Sequence, residues 1–195
     1  MIKMNVWEGF WRKHNIFDDD MVMEVINKIN IVKGSYIADL GSGPGRFTIP
    51  LARVVGENGK VYAIDISKES LATVKYYADR EKLNNIEIVY ADISKKIPLN
   101  NNSIDIAFMA NVFHDIVYDG KESILLNEIK RILKKEGKLI ILEFKKMRGP
   151  PGPPIFMRIS FEDLSVILNS NGFSLKYLGE IGKYHYLIEA KNINA

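Results

Sequence analysis

Tyr36-Ile37-Ala38-Asp39-Leu40-Gly41-Ser42-Gly43-Pro44-Gly45 is the stretch on which the fold turns: a short apolar run carries a carboxylate and then breaks into alternating glycines. The run reads as a strand, and the break after it reads as a nucleotide-cofactor loop. Gly41, Gly43 and Gly45 have no Cβ, so the backbone can turn sharply at the strand end and a ligand can pack directly on it. A glycine-rich loop alone also marks an ordinary tight turn. Its weight rests on the residues standing at the right distances beyond it.

Lys60-Val61-Tyr62-Ala63-Ile64-Asp65 is a second apolar run closing on an acid. That acid stands roughly 20 residues past Gly45, where a βαβ nucleotide unit places its ribose carboxylate. A third run, Ile86-Glu87-Ile88-Val89-Tyr90-Ala91-Asp92, also ends on Asp. In an open parallel sheet the carboxyl edge is the ligand crevice, so Asp39, Asp65 and Asp92 are expected to converge on one small molecule. The competing reading makes each Asp a cap for the following helix or turn. For one of them that reading competes well; for all three together with the glycines it does not.

Between the acids, apolar residues recur at helical spacing, as in Val22, Val25, Ile26 and Ile29 after the acidic cap Asp18-Asp19-Asp20. Ser67 caps a helix carrying Leu71, Val74 and Ala78. Leu125, Ile129, Ile132 and Leu133 face inward from another, which is expected to end near Gly137. A last helix runs from the cap at Ser160 to Asn171-Gly172. Two strand-like runs come after it, 173–178 and 184–190, with a link too short for a parallel crossover, so they pair antiparallel. Gly149-Pro150-Pro151-Gly152-Pro153-Pro154 is an extended loop, since its prolines fix φ and lack a donor.

A chain of 195 residues, 47% of them hydrophobic, can bury roughly 70% of its unfolded surface around one core. A single domain over 1–195 is expected, with 1–30 as a helical lid region and 31–195 as the α/β core. The net charge of +3 does not mark an electrostatic nucleic-acid binder, although Lys134, Lys135, Lys145, Lys146 and Arg148 make a basic surface; an RNA or protein partner stays open. The absence of cysteine removes disulfides, thiolate metal sites and any cysteine nucleophile, and no metal site is expected. No apolar run approaches the roughly 18 residues of a membrane span, and the start of the chain is broken by charge. A cytoplasmic protein is expected, of unspecified oligomeric state.

The chain resembles the class I S-adenosylmethionine-dependent methyltransferases, particularly the small proteins similar to the ubiquinone/menaquinone C-methyltransferases (methyltransferase type 11). The resemblance runs from about 31 to 189. Residues 39–45, 63–67, 90–93, 104–114 and 131–139 carry it, as Asp39-Leu40-Gly41-Ser42-Gly43-Pro44-Gly45, Ala63-Ile64-Asp65-Ile66-Ser67, Tyr90-Ala91-Asp92-Ile93, Ile104-Asp105 through Phe113-His114, and Arg131-Ile132 through Lys138-Leu139. It implies a Rossmann-like α/β fold: a seven-stranded, mostly parallel sheet with an antiparallel last strand and helices on both faces. It also implies S-adenosylmethionine as cofactor and S-adenosylhomocysteine as product. The loop with Gly41, Ser42, Gly43 and Gly45 would flank the methionine part, and Asp39 would face its amino group. Asp65 would accept both ribose hydroxyls, whose two donors suit its two oxygens. Ile66 would pack on the adenine, Asp92 would take its amino group beside Ile93, and Asn111 would sit at the methionine end. The Gly-x-Gly-x-Gly spacing departs from the Gly-x-Gly-x-x-Gly of dinucleotide sites and speaks against a nicotinamide oxidoreductase.

Methyl transfer is a direct displacement at a carbon already activated by the cofactor, so positioning can do most of the work. A base is needed only where the attacking atom must lose a proton. His114, just past the fourth strand, is the base candidate, with a structural hydrogen bond to the following helix as the competing role. Glu143, ending the fifth strand, could touch the acceptor or pair with Lys145, Lys146 or Arg148. Trp7, Trp11 and Phe113 are candidate acceptor contacts, the first two on one face of an N-terminal helix with Phe10. His14 and His185 read as surface or packing residues. Enzymes of this class that methylate the amino groups of adenine or glutamine carry an Asn/Asp-Pro-Pro-aromatic tetrad, whereas this chain has Asn111-Val112-Phe113-His114. A small aromatic or hydrophobic acceptor fits best. The alternatives are an enzyme acting on RNA or protein, and a regulatory module that binds the cofactor without turnover.

Overall fold

The computed structural model of the chain describes residues 17–149 and 151–193. The elements in order are α1 (Asp19–Lys28), β1 (Tyr36–Leu40), α2 (Thr48–Val55), β2 (Lys60–Asp65), α3 (Lys68–Glu81), β3 (Ile86–Tyr90), β4 (Ile104–Ala110), α4 (Phe113–Tyr118), α5 (Glu122–Ile132), β5 (Leu133–Phe144), α6 (Phe161–Ser170), β6 (Phe173–Ile181) and β7 (His185–Asn192). The seven strands form one sheet in the order β3-β2-β1-β4-β5-β7-β6. Only β7 runs against its neighbours β5 and β6; every other pairing is parallel. The Rossmann-like α/β architecture with an antiparallel last strand is therefore present.

Alternation along the strands divides the core in two. Ala38 and Leu40 of β1, with Ala107, Met109, Leu139 and Ile141, pack against α4, α5 and α6 through Ile116, Leu125, Ile129, Leu164 and Leu168. Ile37, with Ile106, Phe108, Ile140 and Leu142, packs on the opposite face against α1 and α2 through Val22, Val25, Ile26, Leu51 and Val55. With both faces covered, the central strands read as mainly apolar runs, broken by Asp39 in β1 and Asp105 in β4. Asp18, Ser67 and Ser160 cap α1, α3 and α6 by accepting from Met21, Ser70 and Asp163 N–H groups.

The chain leaves β1 toward β2 and β3 on one side, then returns to place β4 and β5 on the other. The carboxyl ends of β1 and β4 thus flank the point where the strand order reverses, which is where such sheets open a crevice. One boundary departs from the sequence reading. Leu133, expected to belong to a helix lasting to near Gly137, has extended backbone and pairs with Ile104 as the first residue of β5.

Arg158 explains the proline-rich loop. It is 3% exposed. Its Nε donates to Pro153 O at 2.8 Å, its Nη1 to Met147 O at 2.8 Å and Lys145 O at 3.5 Å, and its Nη2 to Gly149 O and Pro151 O at 2.7 Å each. Five guanidinium N–H groups thus meet five carbonyls of a segment whose prolines cannot donate. The guanidinium also lies over the Phe144 ring, 5.3 Å from its centre. Replacing Arg158 by Met should lower stability by about 3 kcal/mol, because five partly buried carbonyls lose a charged donor that they share. Tm should then fall by roughly 6–12 °C, and limited proteolysis should begin between 145 and 157. Arg158→Lys should fare little better, since an ammonium has three donors and no planar fork.

Candidate functional site

The site is built where β1, β2 and β4 end. At Gly41 the chain turns with φ +74°, its N–H donating to Ile64 O at 2.8 Å, and a Cβ there would stand 2.6 Å from Val112 Cγ2. Only glycine fits that approach. The loop then runs over the end of β2 and is pinned by Asp65: Gly43 N–H donates to Asp65 Oδ2 at 2.7 Å, while Oδ1 accepts from Ser67 N–H at 2.7 Å. Asp65 therefore binds loop and helix entrance together. It retains free lone-pair directions on both oxygens, since an ionised carboxylate offers about four.

Asp39 lies deeper, 2% exposed, and accepts from Thr48 Oγ1 at 2.6 Å. Burial raises its pKa from the ordinary 3.8 to about 7; the Thr48 hydrogen bond opposes the rise and the nearby Asp65 charge adds to it. Thr48, itself fully buried, was not singled out in the sequence; a hydroxyl at the first turn after a glycine loop was the available signal. Asp92 accepts from Ser94 N–H at 3.0 Å and Ser94 Oγ at 2.6 Å. The Ser94 hydroxyl, with help from Lys95, holds its carboxyl below the usual range. Asp65 and Asp92 thus both perform the capping that competed with the ligand reading.

A cavity of about 310 Å³ lies between Asp65 and Asp92. Gly41, Asp65, Ile66, Asp92 and Ile93 line it from the sheet edge, and Val112 and Ile116 close it from α4. Ile66 is 62% exposed and Ile93 only 7%, so one apolar side chain overhangs the cavity while the other forms its base. Lys121, absent from the sequence reading, also lines it and donates to Ser94 Oγ at 3.4 Å. Asn111, at the end of β4, has φ +57°, and its Oδ1 is buried with no hydrogen-bond partner among the described residues. A strained residue with an orphaned acceptor at a crevice is a place where a ligand donor is due.

Past Asn111, His114 and Glu143 come together. His114 Nδ1 stands 2.9 Å and 3.1 Å from the two Glu143 carboxylate oxygens, and the His114 backbone N–H donates to Glu143 Oε1 at 3.2 Å. Glu143 is 0% exposed and His114 6%. A carboxylate on Nδ1 fixes the proton there and leaves Nε2 as the basic nitrogen. Burial pulls the His114 pKa down, but the Glu143 hydrogen bond and charge, aided by Asp115, outweigh it and the net shift is upward. Among the described residues Glu143 makes none of the pairings to Lys145, Lys146 or Arg148 that the sequence allowed; Lys145 pairs with Glu180 and Lys146 with Asp163. Phe113 is fully buried within the core on the α4 side. Trp7, Phe10, Trp11 and His14 lie outside the described residues.

Asn111, the open space a Cβ at Gly43 would enter, and the acid-lined cavity all suit a ligand with a cationic amino-acid end and a ribonucleoside end. Residues 31–164 match the family described as a methyltransferase domain. The chain is 27% identical over 192 residues to the ubiquinone/menaquinone biosynthesis C-methyltransferase UbiE of Hahella chejuensis, covering 92% of this chain and 76% of that protein. It is 30% identical over 198 residues to the UbiE of Pasteurella multocida, covering 93% and 70%. Among solved structures, a SAM-dependent methyltransferase from Aquifex aeolicus superposes with a TM-score of 0.78 at 32% identity, covering 87% of this chain and 88% of that one. The fold and site define a class I methyltransferase that uses S-adenosylmethionine. The chain belongs to the methyltransferase-domain family.

Proposed function

We propose that this chain methylates a small aromatic or hydrophobic acceptor bearing an ionisable hydroxyl. The observation that carries the reading is the buried His114–Glu143 pair beside Asn111, at the edge toward which the cofactor loop opens. A quinol-like arene is the acceptor class that the ubiquinone/menaquinone C-methyltransferase relatives suggest. Asp65 would hold the ribose hydroxyls, Asp92 the adenine amino group, Ile66 and Ile93 the ring faces, and Asp39 with Asn111 the amino-acid end. When bound, S-adenosylmethionine supplies a methyl carbon activated by its sulfonium. The chain's own work is then positioning and proton removal: Nε2 of neutral His114 takes the acceptor's proton, and Glu143 stabilises the imidazolium so formed.

Transfer of labelled methyl into 1,4-dihydroxynaphthalene, and into a cell extract split into solvent-soluble, RNA and protein fractions, tests the reading. Label in the arene and in the solvent-soluble fraction is expected; label confined to RNA or protein would replace the acceptor class. The base role makes a sharper prediction. Because Glu143 raises the His114 pKa, the rate should climb with pH through an inflection above the ordinary histidine value of 6.5. Glu143→Gln should keep the hydrogen bond, remove the charge, move that inflection downward and lower the plateau by roughly 10–100-fold. An unmoved inflection would assign the pair to structure alone.

A further inference from the structure

Lys121 brings a positive charge to the wall of a cavity otherwise lined by acids. Asp65, Asp92, Asp115 and Asp119 face the cavity together with this one ammonium among the described residues. The short link between α4 and α5 sets the side chain's origin. Gly120 turns with φ +67°, and the Lys121 backbone N–H donates to Ile116 O at 3.0 Å, so the chain folds back on α4 before α5 begins. From there Nζ donates to Ser94 Oγ at 3.4 Å, and Ser94 Oγ in turn donates to Asp92 Oδ1 at 2.6 Å. The ammonium thus stands one hydroxyl away from the carboxylate that follows β3.

Charge balance is a poor account of this lysine. S-adenosylmethionine carries a sulfonium into the cavity, so an ammonium on the wall opposes its binding unless it also makes a directed contact. Asp119 does not occupy the lysine either: that pair is 3.7 Å apart, with side chains 38% and 56% exposed, and such an exposed pair contributes little. An ammonium has three donors. Ser94 takes one, at a long 3.4 Å, and no other hydrogen bond from Nζ is made among the described residues.

We infer that Lys121 is a specificity residue for the base of the cofactor, its ammonium donating to a ring nitrogen beside the amino group that Asp92 accepts. This rests on the assignment of Asp92 to the adenine amino group and adds to it the donor that reads the neighbouring acceptor. Adenine presents its amino donor flanked by two ring acceptors, N1 and N7, whereas hypoxanthine presents an oxygen acceptor beside an N1–H donor. A carboxylate with an ammonium one hydroxyl away matches the first order and opposes the second. Left against the wrong base, both charged groups go unpaired, so the pair rejects a 6-oxopurine more strongly than it rewards adenine. Ile66 and Ile93, the apolar residues of the same cavity, cannot tell one purine from another.

The test is titration calorimetry of the native protein, Lys121→Met and Lys121→Arg with S-adenosylhomocysteine, its 1-deaza, 3-deaza and 7-deaza analogues, and the analogue lacking the adenine amino group. The native protein should bind the 1-deaza or the 7-deaza compound roughly tenfold more weakly than the parent. Lys121→Met should lose roughly tenfold for the parent and no longer distinguish that compound from it, while Lys121→Arg, which keeps a charged donor, should recover part of the loss. The 3-deaza compound alters a nitrogen remote from the amino group, so its affinity relative to the parent should be the same in all three proteins. S-adenosylmethionine separates contact from charge: a Lys121→Met protein that binds it more tightly and S-adenosylhomocysteine unchanged would make the lysine a charge alone and overturn the inference. Native-like discrimination of the deaza compounds by Lys121→Met would overturn it too. An amino-free analogue bound by the native protein as tightly as the parent would remove Asp92 from the adenine, and the lysine contact with it. Weaker binding of that analogue keeps Asp92 in place whatever the lysine variants do, so the two readings fail separately.

Discussion

Replacing Asp65 by Ala is expected to weaken S-adenosylmethionine binding by about two to four orders of magnitude, read by titration calorimetry. Two charge-assisted hydrogen bonds to ribose hydroxyls contribute roughly 1.5–3 kcal/mol each, and about 1.4 kcal/mol is a tenfold change in affinity. The same substitution frees Gly43 N–H and Ser67 N–H, which now donate to Oδ2 and Oδ1 at 2.7 Å. The loop proposed to flank the methionine end is then no longer tied to β2, so the loss should extend beyond the ribose. Asp65→Asn should be nearly as harmful. Both carboxylate oxygens already accept backbone N–H groups, so an amide must aim its NH₂ at one of two donors. A drop of less than tenfold for Asp65→Ala would make the residue a loop anchor and nothing more.

How far this site could be read in advance depends on the distance over which its groups are related. The glycine loop, Asp65 and Asp92 stand at strand ends, where a local pattern of apolar run, acid and turn exposes them. The sheet itself was legible because β1, β4 and the second half of β5 are buried on both faces and so read as mainly apolar runs. Leu133 was misread for a physical reason. Its apolar spacing continues that of Leu125, Ile129 and Ile132, and β5 follows α5 with no intervening loop to signal the change of period. The pairing of His114 with Glu143 joins residues 29 apart, and only the adjacency of β4 and β5 brings them together. Each was visible singly; their contact was not. Arg158 was hidden similarly, because nothing in a Gly-Pro-rich stretch states that five of its surrounding carbonyls will share one guanidinium. His185, read as a surface or packing residue, is buried between Phe17 and Phe144, a contact that needs β5, β7 and the chain before α1 in place at once.

Asp39→Asn is expected to move stability and cofactor affinity in opposite directions. In the folded protein the Asp39 carboxyl titrates at about 7 instead of 3.8, because burial disfavours its charge more than the Thr48 hydroxyl can offset. Between those two values the folded state binds the proton and the unfolded state does not, so stability falls as pH rises through that window and is fully reduced above about 7. At about 1.4 kcal/mol per unit the penalty is on the order of 4 kcal/mol as an upper bound, and less after relaxation around the charge. An asparagine fits the same space, can still pair with Thr48 and carries no charge. The cofactor-free variant should therefore melt roughly 5–10 °C higher than the native protein at pH 8, with the difference vanishing near pH 4. Binding should show the reverse. A cationic amino group placed against an ionised Asp39 recovers the buried charge, so the native protein should bind S-adenosylmethionine more tightly as pH rises through 7, whereas Asp39→Asn should bind about 100-fold more weakly at pH 8 and lose that pH dependence. A variant that melts lower than the native protein at pH 8 would mean that the carboxylate is stabilised by its surroundings and that the fold, not the cofactor, requires the acid. A variant that melts higher yet binds equally well would remove Asp39 from the cofactor site while leaving its strained burial to be explained by another cation at the end of β1.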